Sequence, residues 1–130
     1  MIVDRKSRPK ALEAYSAAPA EIRLLPLTLE KKLIGAKIRR VVGDGGYESD
    51  AMDRELKQKG IELIAPHAKN RITPTQDKRA LRHKKHRWVV ERFFSWLQNF
   101  RRCAMRYEYY LENFTAFLHL AAIILYLRHF

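Results

Sequence analysis

The chain opens on Met1-Ile2-Val3-Asp4, three apolar residues and a carboxylate that read as part of a strand. Arg5 to Pro9 follows as a turn, and Ala11 to Tyr15 as a second strand with imperfect alternation. Between Glu21 and Ile34 the apolar residues Leu24, Leu25, Leu29 and Leu33 recur at helical spacing, with Pro26 expected to delay the helix start. Lys37 to Val42 predicts a short strand, and Asp44 lies just past its end. Glu48 to Lys59 predicts a helix with Ala51, Met52 and Leu56 on one face and Gly60 as its stop. Ile61 to Pro66 returns as a strand. Strand, helix, strand, helix and strand in this order predict an α/β chain built on one mixed sheet.

Beyond that point the pattern turns helical. His67 to Lys78 is polar, contains Pro74 and reads as a loop, whereas Arg79 to Arg102 predicts one long helix. Within it Val90, Phe93, Leu97 and Phe100 share a spacing that should face the core, with Phe94 beside them. Glu112 to Leu127 predicts a final helix whose apolar stripe is Phe117, Leu118, Ala121, Ile124 and Leu125. Its apolar run of 14 residues, Phe114 to Leu127, is short for a membrane span and reads as a buried helix. No internal repeat or low-complexity segment interrupts the chain.

Composition changes this picture in one direction. The 130 residues suit one domain, and a hydrophobic share of 47% excludes a disordered polycation. The net charge of +12 calls for an anionic partner, nucleic acid or an anionic surface. Residues 67–106 concentrate that charge: twelve Lys and Arg against Asp77 and Glu91 leave a local +10. The lone Cys103 can form no internal disulfide, which fits a reducing cytoplasm, and no signal peptide is visible after Met1.

Two carboxylates stand out against the basic background. Asp44 follows an apolar strand and adjoins Gly45-Gly46, where α/β sheets place ligands and where backbone or substrate can approach closely. The plainer reading is an Asp-Gly-Gly turn capped by its own side chain. Glu91 lies among Trp88, Val89, Val90 and Phe93, where burial would be costly unless Arg87 or a divalent cation compensated it. Its plainer reading is a helix-surface ion pair with Arg87, four residues earlier. His83 and His86 lack the further ligands a zinc site needs, and Cys103 lacks a partner that would make it a nucleophile. The aromatic set Trp88, Phe93, Phe94, Trp96 and Phe100 offers rings on which bases could stack; at this spacing most of it reads as core, with Trp88 or Trp96 left to face outward.

The segment Asp44-Gly45-Gly46-Tyr47-Glu48-Ser49-Asp50, the run HRWVVERFFSWLQNFRR (86–102), Arg106-Tyr107-Glu108 and Ala116-Phe117-Leu118-His119-Leu120 together resemble the C-terminal part of a bacterial DDE insertion-sequence transposase. The resemblance covers most of the chain and is strongest from residue 40 onward. It implies a truncated RNase H-like mixed sheet with flanking helices and a C-terminal helical pair. It makes residues 1–130 the C-terminal portion of a catalytic domain, with the first catalytic strand and the N-terminal DNA-binding region missing. Asp44 would be the second metal-binding acid and Glu91 the third, with Mg²⁺ or Mn²⁺ as the expected cofactor. Arg87 would orient the glutamate or contact phosphate. Lys84, Lys85, Arg87, Arg92, Arg101 and Arg102 would bind DNA. Asp4 aligns with a later strand than the family's first aspartate and takes no such role. The family's usual tyrosine and lysine around the arginine–glutamate pair are Lys84 and Gln98 here.

Two functions follow from these readings. One is a transposase fragment or second-reading-frame product that supplies two of three acids for DNA cleavage and strand transfer, inactive alone for want of the first aspartate. The other is a non-catalytic DNA-binding remnant or regulator of the full-length transposase. Both expect DNA as partner (element ends and target), mixed multimers with an upstream product or the full-length enzyme, a nucleoid-associated cytoplasmic location and no membrane.

Overall fold

The computed structural model describes residues 1–16, 19–31, 38–67 and 88–129. Their elements run β1 (Ile2–Val3), β2 (Pro9–Ala11), α1 (Glu21–Glu30), β3 (Arg40–Val42), α2 (Asp50–Gln58), β4 (Glu62–Ile64), α3 (Trp88–Gln98), α4 (Arg101–Ala104) and α5 (Leu111–His129). A single 3₁₀ turn, Gly45–Tyr47, lies between β3 and α2. The chain is therefore α/β, with the elements in the order its pattern predicts.

The sheet differs from expectation. Among the described residues the strands form two separate ladders in place of one mixed sheet. β1 and β2 pair antiparallel, with Ile2 opposite Ala11 and Val3 opposite Pro9. β3 and β4 pair parallel, Val41 opposite Leu63 and Val42 opposite Ile64. The physical reason is that each ladder covers its own core. Leu12, Phe93, Leu97, Leu118, Ala121, Ala122 and Leu125 form one buried cluster, beneath the β1–β2 hairpin. Leu25, Leu29, Val41, Leu56, Ile61 and Leu63 form the other, where α1 and α2 pack on β3 and β4. Side chains alternate across a strand. Accordingly Val3 packs against the first cluster and Ile2 against the second, so β1 belongs to both.

Local signals set most boundaries. Ser49 caps α2, its Oγ accepting the Met52 amide at 3.3 Å, with Asp50 and Asp53 in the first turn of the helix. Gly60 follows at φ 72, the left-handed value that ends a helix without a steric penalty. α1 begins at Glu21 and carries Pro26 inside it, so the proline does not delay the start. The second strand covers Pro9–Ala11 and not Ala11 to Tyr15. Leu12 leaves the ladder to enter the first core.

The expected long helix is interrupted. Residues 79–87 lie outside the described residues, as does the loop at 68–78, and α3 ends at Gln98. Asn99 and Phe100 close it with turn bonds to Trp96 and Leu97, and Phe100 adopts extended backbone as it packs against the first core. The buried face is Val89, Phe93 and Leu97, one position away from Val90, while Phe94 is half exposed. In α5 the buried face is Thr115, Leu118, Ala121, Ala122 and Leu125. Leu120, Ile123, Ile124 and Leu127 of the same helix are exposed. By length and composition α5 could cross a membrane; its contacts here are with the core of the domain.

Candidate functional site

Asp44 sits two residues beyond β3, at the carboxyl end of the parallel pair. Its Oδ1 accepts the Gly46 amide at 3.0 Å and so caps the 3₁₀ turn. Gly43 is needed there, because a Cβ at that position would lie 2.9 Å from Tyr47 Cβ. Tyr47 packs against the second core; burial, with the negative charges of Glu21 and Asp44 adding to it, raises its hydroxyl above the usual value. Beyond the turn Glu48 Oε1 lies 2.7 Å from His67 Nδ1, tying the entry of α2 to the exit of β4. Thus the turn reading of Asp44 holds, and Asp44 Oδ2 is left without a hydrogen-bond partner among the described residues.

Glu91 lies in the first turn of α3 and is exposed, which overturns the expectation that apolar neighbours bury it. The reason is helical phase: Val89 and Phe93 turn inward, so Glu91 points away from both. Its carboxylate makes no hydrogen bond or ion pair among the described residues. Arg87, Lys84, Lys85, His83 and His86 lie outside the described residues, so the Arg87 pairing and the histidine pair do too. Asp44 follows β3 and Glu91 stands in the first turn of α3, with no hydrogen bond between them among the described residues. Among the described residues no group of three His, Cys, Asp or Glu side chains could hold a metal ion.

The remaining expected DNA contacts are differently placed. Arg102 Nη1 pairs with Glu108 Oε1 at 2.6 Å and its guanidinium lies over Phe117, so it staples α4 to the loop before α5 and to α5 itself. Arg101 is exposed, over the ring of Tyr107. Arg92 donates from Nε to Ser7 Oγ at 2.8 Å, and Ser7 Oγ donates to the Val89 carbonyl at 2.7 Å. Ser7 is wholly buried at φ 64, a left-handed backbone uncommon for serine, held by these two bonds. Burial, with the charge of Glu108, raises the Cys103 thiol, consistent with an inert side chain.

Sequence reasoning missed a groove of about 590 Å³ lined by Arg5, Lys6, Arg8, Trp88, Arg92, Trp96 and His129. Arg92 lies 4.6 Å from the Trp88 ring centre and 5.1 Å from that of Trp96. Trp96 in turn stacks on His129 at 4.4 Å. The spacing of Trp88, Arg92 and Trp96, four residues apart on one helix, was the available signal; the arrival of residues 5–8 and 129 beside them carried none.

With the geometry in place, comparison with known proteins supplies the family. The family model described as "Transposase DDE domain" matches residues 1–127. The "Putative transposase for insertion sequence element IS402" of Burkholderia cepacia is 39% identical over 87 residues, 67% of this chain and 38% of that protein. This chain thus spans less than two fifths of that relative's length. No solved structure matches it. The chain belongs to the transposase DDE domain family, among proteins of the insertion-sequence type.

Proposed function

We propose that this chain is the C-terminal portion of a transposase catalytic domain of RNase H-like fold, acting on DNA in transposition. Asp44 and Glu91 are its metal-binding acids and Arg87 positions Glu91. The observation that carries the reading is the place of Asp44, at the carboxyl end of a parallel strand pair with one carboxylate oxygen open, within a chain of the DDE family. The donor set fits in kind: two carboxylates offer the hard oxygen ligands that Mg²⁺ or Mn²⁺ prefers. A bound metal pair would lower the barrier to attack on a phosphodiester by water or a DNA 3′-hydroxyl. Arg92, Arg101 and the basic residues Lys84 and Lys85 hold phosphate, and the chain works in mixed multimers in the cytoplasm, at the nucleoid.

Asp44→Ala and Glu91→Ala, introduced into an enzyme that carries the family's first aspartate as well, are expected to abolish metal-dependent cleavage of element ends. DNA binding should stay within a few-fold of wild type, because neither acid contributes attraction to phosphate. Cleavage at wild-type rate in either variant would overturn the assignment. The second reading, a DNA-binding regulator without chemistry, draws on the cap that Asp44 makes to Gly46, a complete structural use for that side chain. It predicts that the unmodified chain reduces transposition when co-expressed with an intact enzyme.

A further inference from the structure

Asp44 stands in a segment with little stiffness of its own. Gly43, Gly45 and Gly46 surround it, and glycine gives up more backbone freedom on ordering than any other residue. The bond from the Gly46 amide to Asp44 Oδ1 does not cure this, because donor and acceptor lie in the same turn and move together. Fixing the carboxylate relative to the sheet takes bonds that leave the turn. Two such bonds flank Asp44, and both end on β4 or its exit. Before it, the Gly43 amide donates to the Ile64 carbonyl at 2.9 Å. After it, Glu48 Oε1 meets His67 Nδ1 at 2.7 Å. Residues 43–48 are thus tied at each end to residues 64–67. Between the ties the Pro66 carbonyl lies beside Gly45, 3.9 Å from where a Cβ would stand. The second tie is sheltered, with the His67 side chain 12% exposed and that of Glu48 16%. A carboxylate held that far from water needs a donor, and its bond is stronger than one between neutral groups.

We propose that His67 is a positioning residue for Asp44: through Glu48 it fixes the turn that carries the carboxylate at the carboxyl end of the parallel pair. The proposal rests on the catalytic reading of Asp44. Reacting groups must be held to within about 0.5 Å, and a misplacement of about 1 Å slows a reaction on the order of 100-fold. The first tie is backbone to backbone, so it survives changes of side chain. The second depends on which residues stand at 48 and 67. Substitution there loosens one end of the turn and leaves the β3–β4 ladder whole. His67 acts through Glu48 and the turn, and needs no contact with DNA or metal itself.

In the metal-free 130-residue chain the Gly46 amide, bonded to Asp44 Oδ1, reports on the turn through its nitrogen–proton resonance. His67→Ala is expected to move and broaden that resonance while leaving that of Gly60, beyond α2, in place. His67→Asn puts an amide donor where the Nδ1–H stood and should bring the resonance back. Glu48→Ala should act as His67→Ala does, and the two together no more than either alone, because they remove one shared bond. The same variants are then placed in an enzyme that carries the family's first aspartate as well. There His67→Ala is expected to slow metal-dependent cleavage of element ends by about tenfold or more. It should also raise the Mn²⁺ concentration for half-maximal rate severalfold, with His67→Asn recovering most of both. A bond that only stabilised the fold would lower the urea midpoint and move neither the Gly46 resonance nor the Mn²⁺ demand. An unmoved Gly46 resonance in His67→Ala, an unchanged Mn²⁺ demand, or additive effects of the two substitutions would each overturn the proposal. Cleavage lost in Asp44→Ala but running at wild-type rate in His67→Ala would defeat the positioning role alone. Normal cleavage in Asp44→Ala would defeat the catalytic reading, and this inference with it.

Discussion

Asp4 shows how much one side chain does in this chain without touching the chemistry. Its Oδ1 accepts the Lys6 and Arg8 amides at 2.9 and 3.0 Å, and its Oδ2 faces Arg8 at 2.7 Å and Lys10 at 3.6 Å. Partial burial pushes the carboxyl up. The Arg8 side-chain hydrogen bond, the two amides and the Arg8 charge outweigh it and leave Asp4 below its ordinary value of 3.8. A depressed carboxyl contributes stability above its unfolded value and loses it as pH falls through the folded one. Asp4→Asn is therefore expected to lower the urea midpoint at neutral pH, and the gap from wild type should close as pH falls below the ordinary value of 3.8. Equal gaps at neutral and acid pH would mean that shape, not charge, holds the hairpin. At this scale the sequence told less than its motifs suggest: Asp44 could be placed from Val41-Val42 and Gly45-Gly46. The exposure of Glu91 could not, because it depends on a helical phase that Val89, and not Val90, decides.

At the scale of elements, the apolar periodicity located α1, α2, α3 and α5 but ran α4 into α3, and it misjudged several faces and ends. Pro26 was read as a boundary and is interior to α1, since packing of Leu25 and Leu29 on the second core outweighs one missing backbone bond. Gln98 and Arg101 were read as one helix, yet burial of Phe100 breaks it. In α5 the apolar residues circle the helix, so composition alone could not choose the buried side. That buried side includes Thr115, whose Oγ1 is sealed off without a hydrogen-bond partner among the described residues. An unsatisfied buried hydroxyl is a net cost. Thr115→Val keeps the shape and removes the oxygen, so it is expected to stabilise the fold by about 1 kcal/mol in urea denaturation. A destabilised variant would show that the hydroxyl has a partner in solution.

Across the whole molecule, the two cores are joined through β1, with Ile2 in one and Val3 in the other. Leu56, fully buried in the second core, is far in sequence from the tryptophans that report on the first. Leu56→Ala is expected to cost roughly 2–5 kcal/mol. Its tryptophan and far-ultraviolet dichroism transitions should shift together, as in a single cooperative unit. Separated transitions would show that β1 does not couple the halves. The same strand has a consequence for biosynthesis. Ser7 bonds to Val89, 82 residues later, His119 reaches the Leu12 carbonyl across 107 residues, and Tyr126 reaches Pro9 across 117. The hairpin is made before the helices that it docks on. At 5–20 residues per second it waits roughly 5–20 s for its partners. Throughout that interval a nascent chain presents a short, unsheltered β-edge and an unpaired Leu12, which makes translation speed and early chaperone capture determinants of how much of this protein reaches its native state.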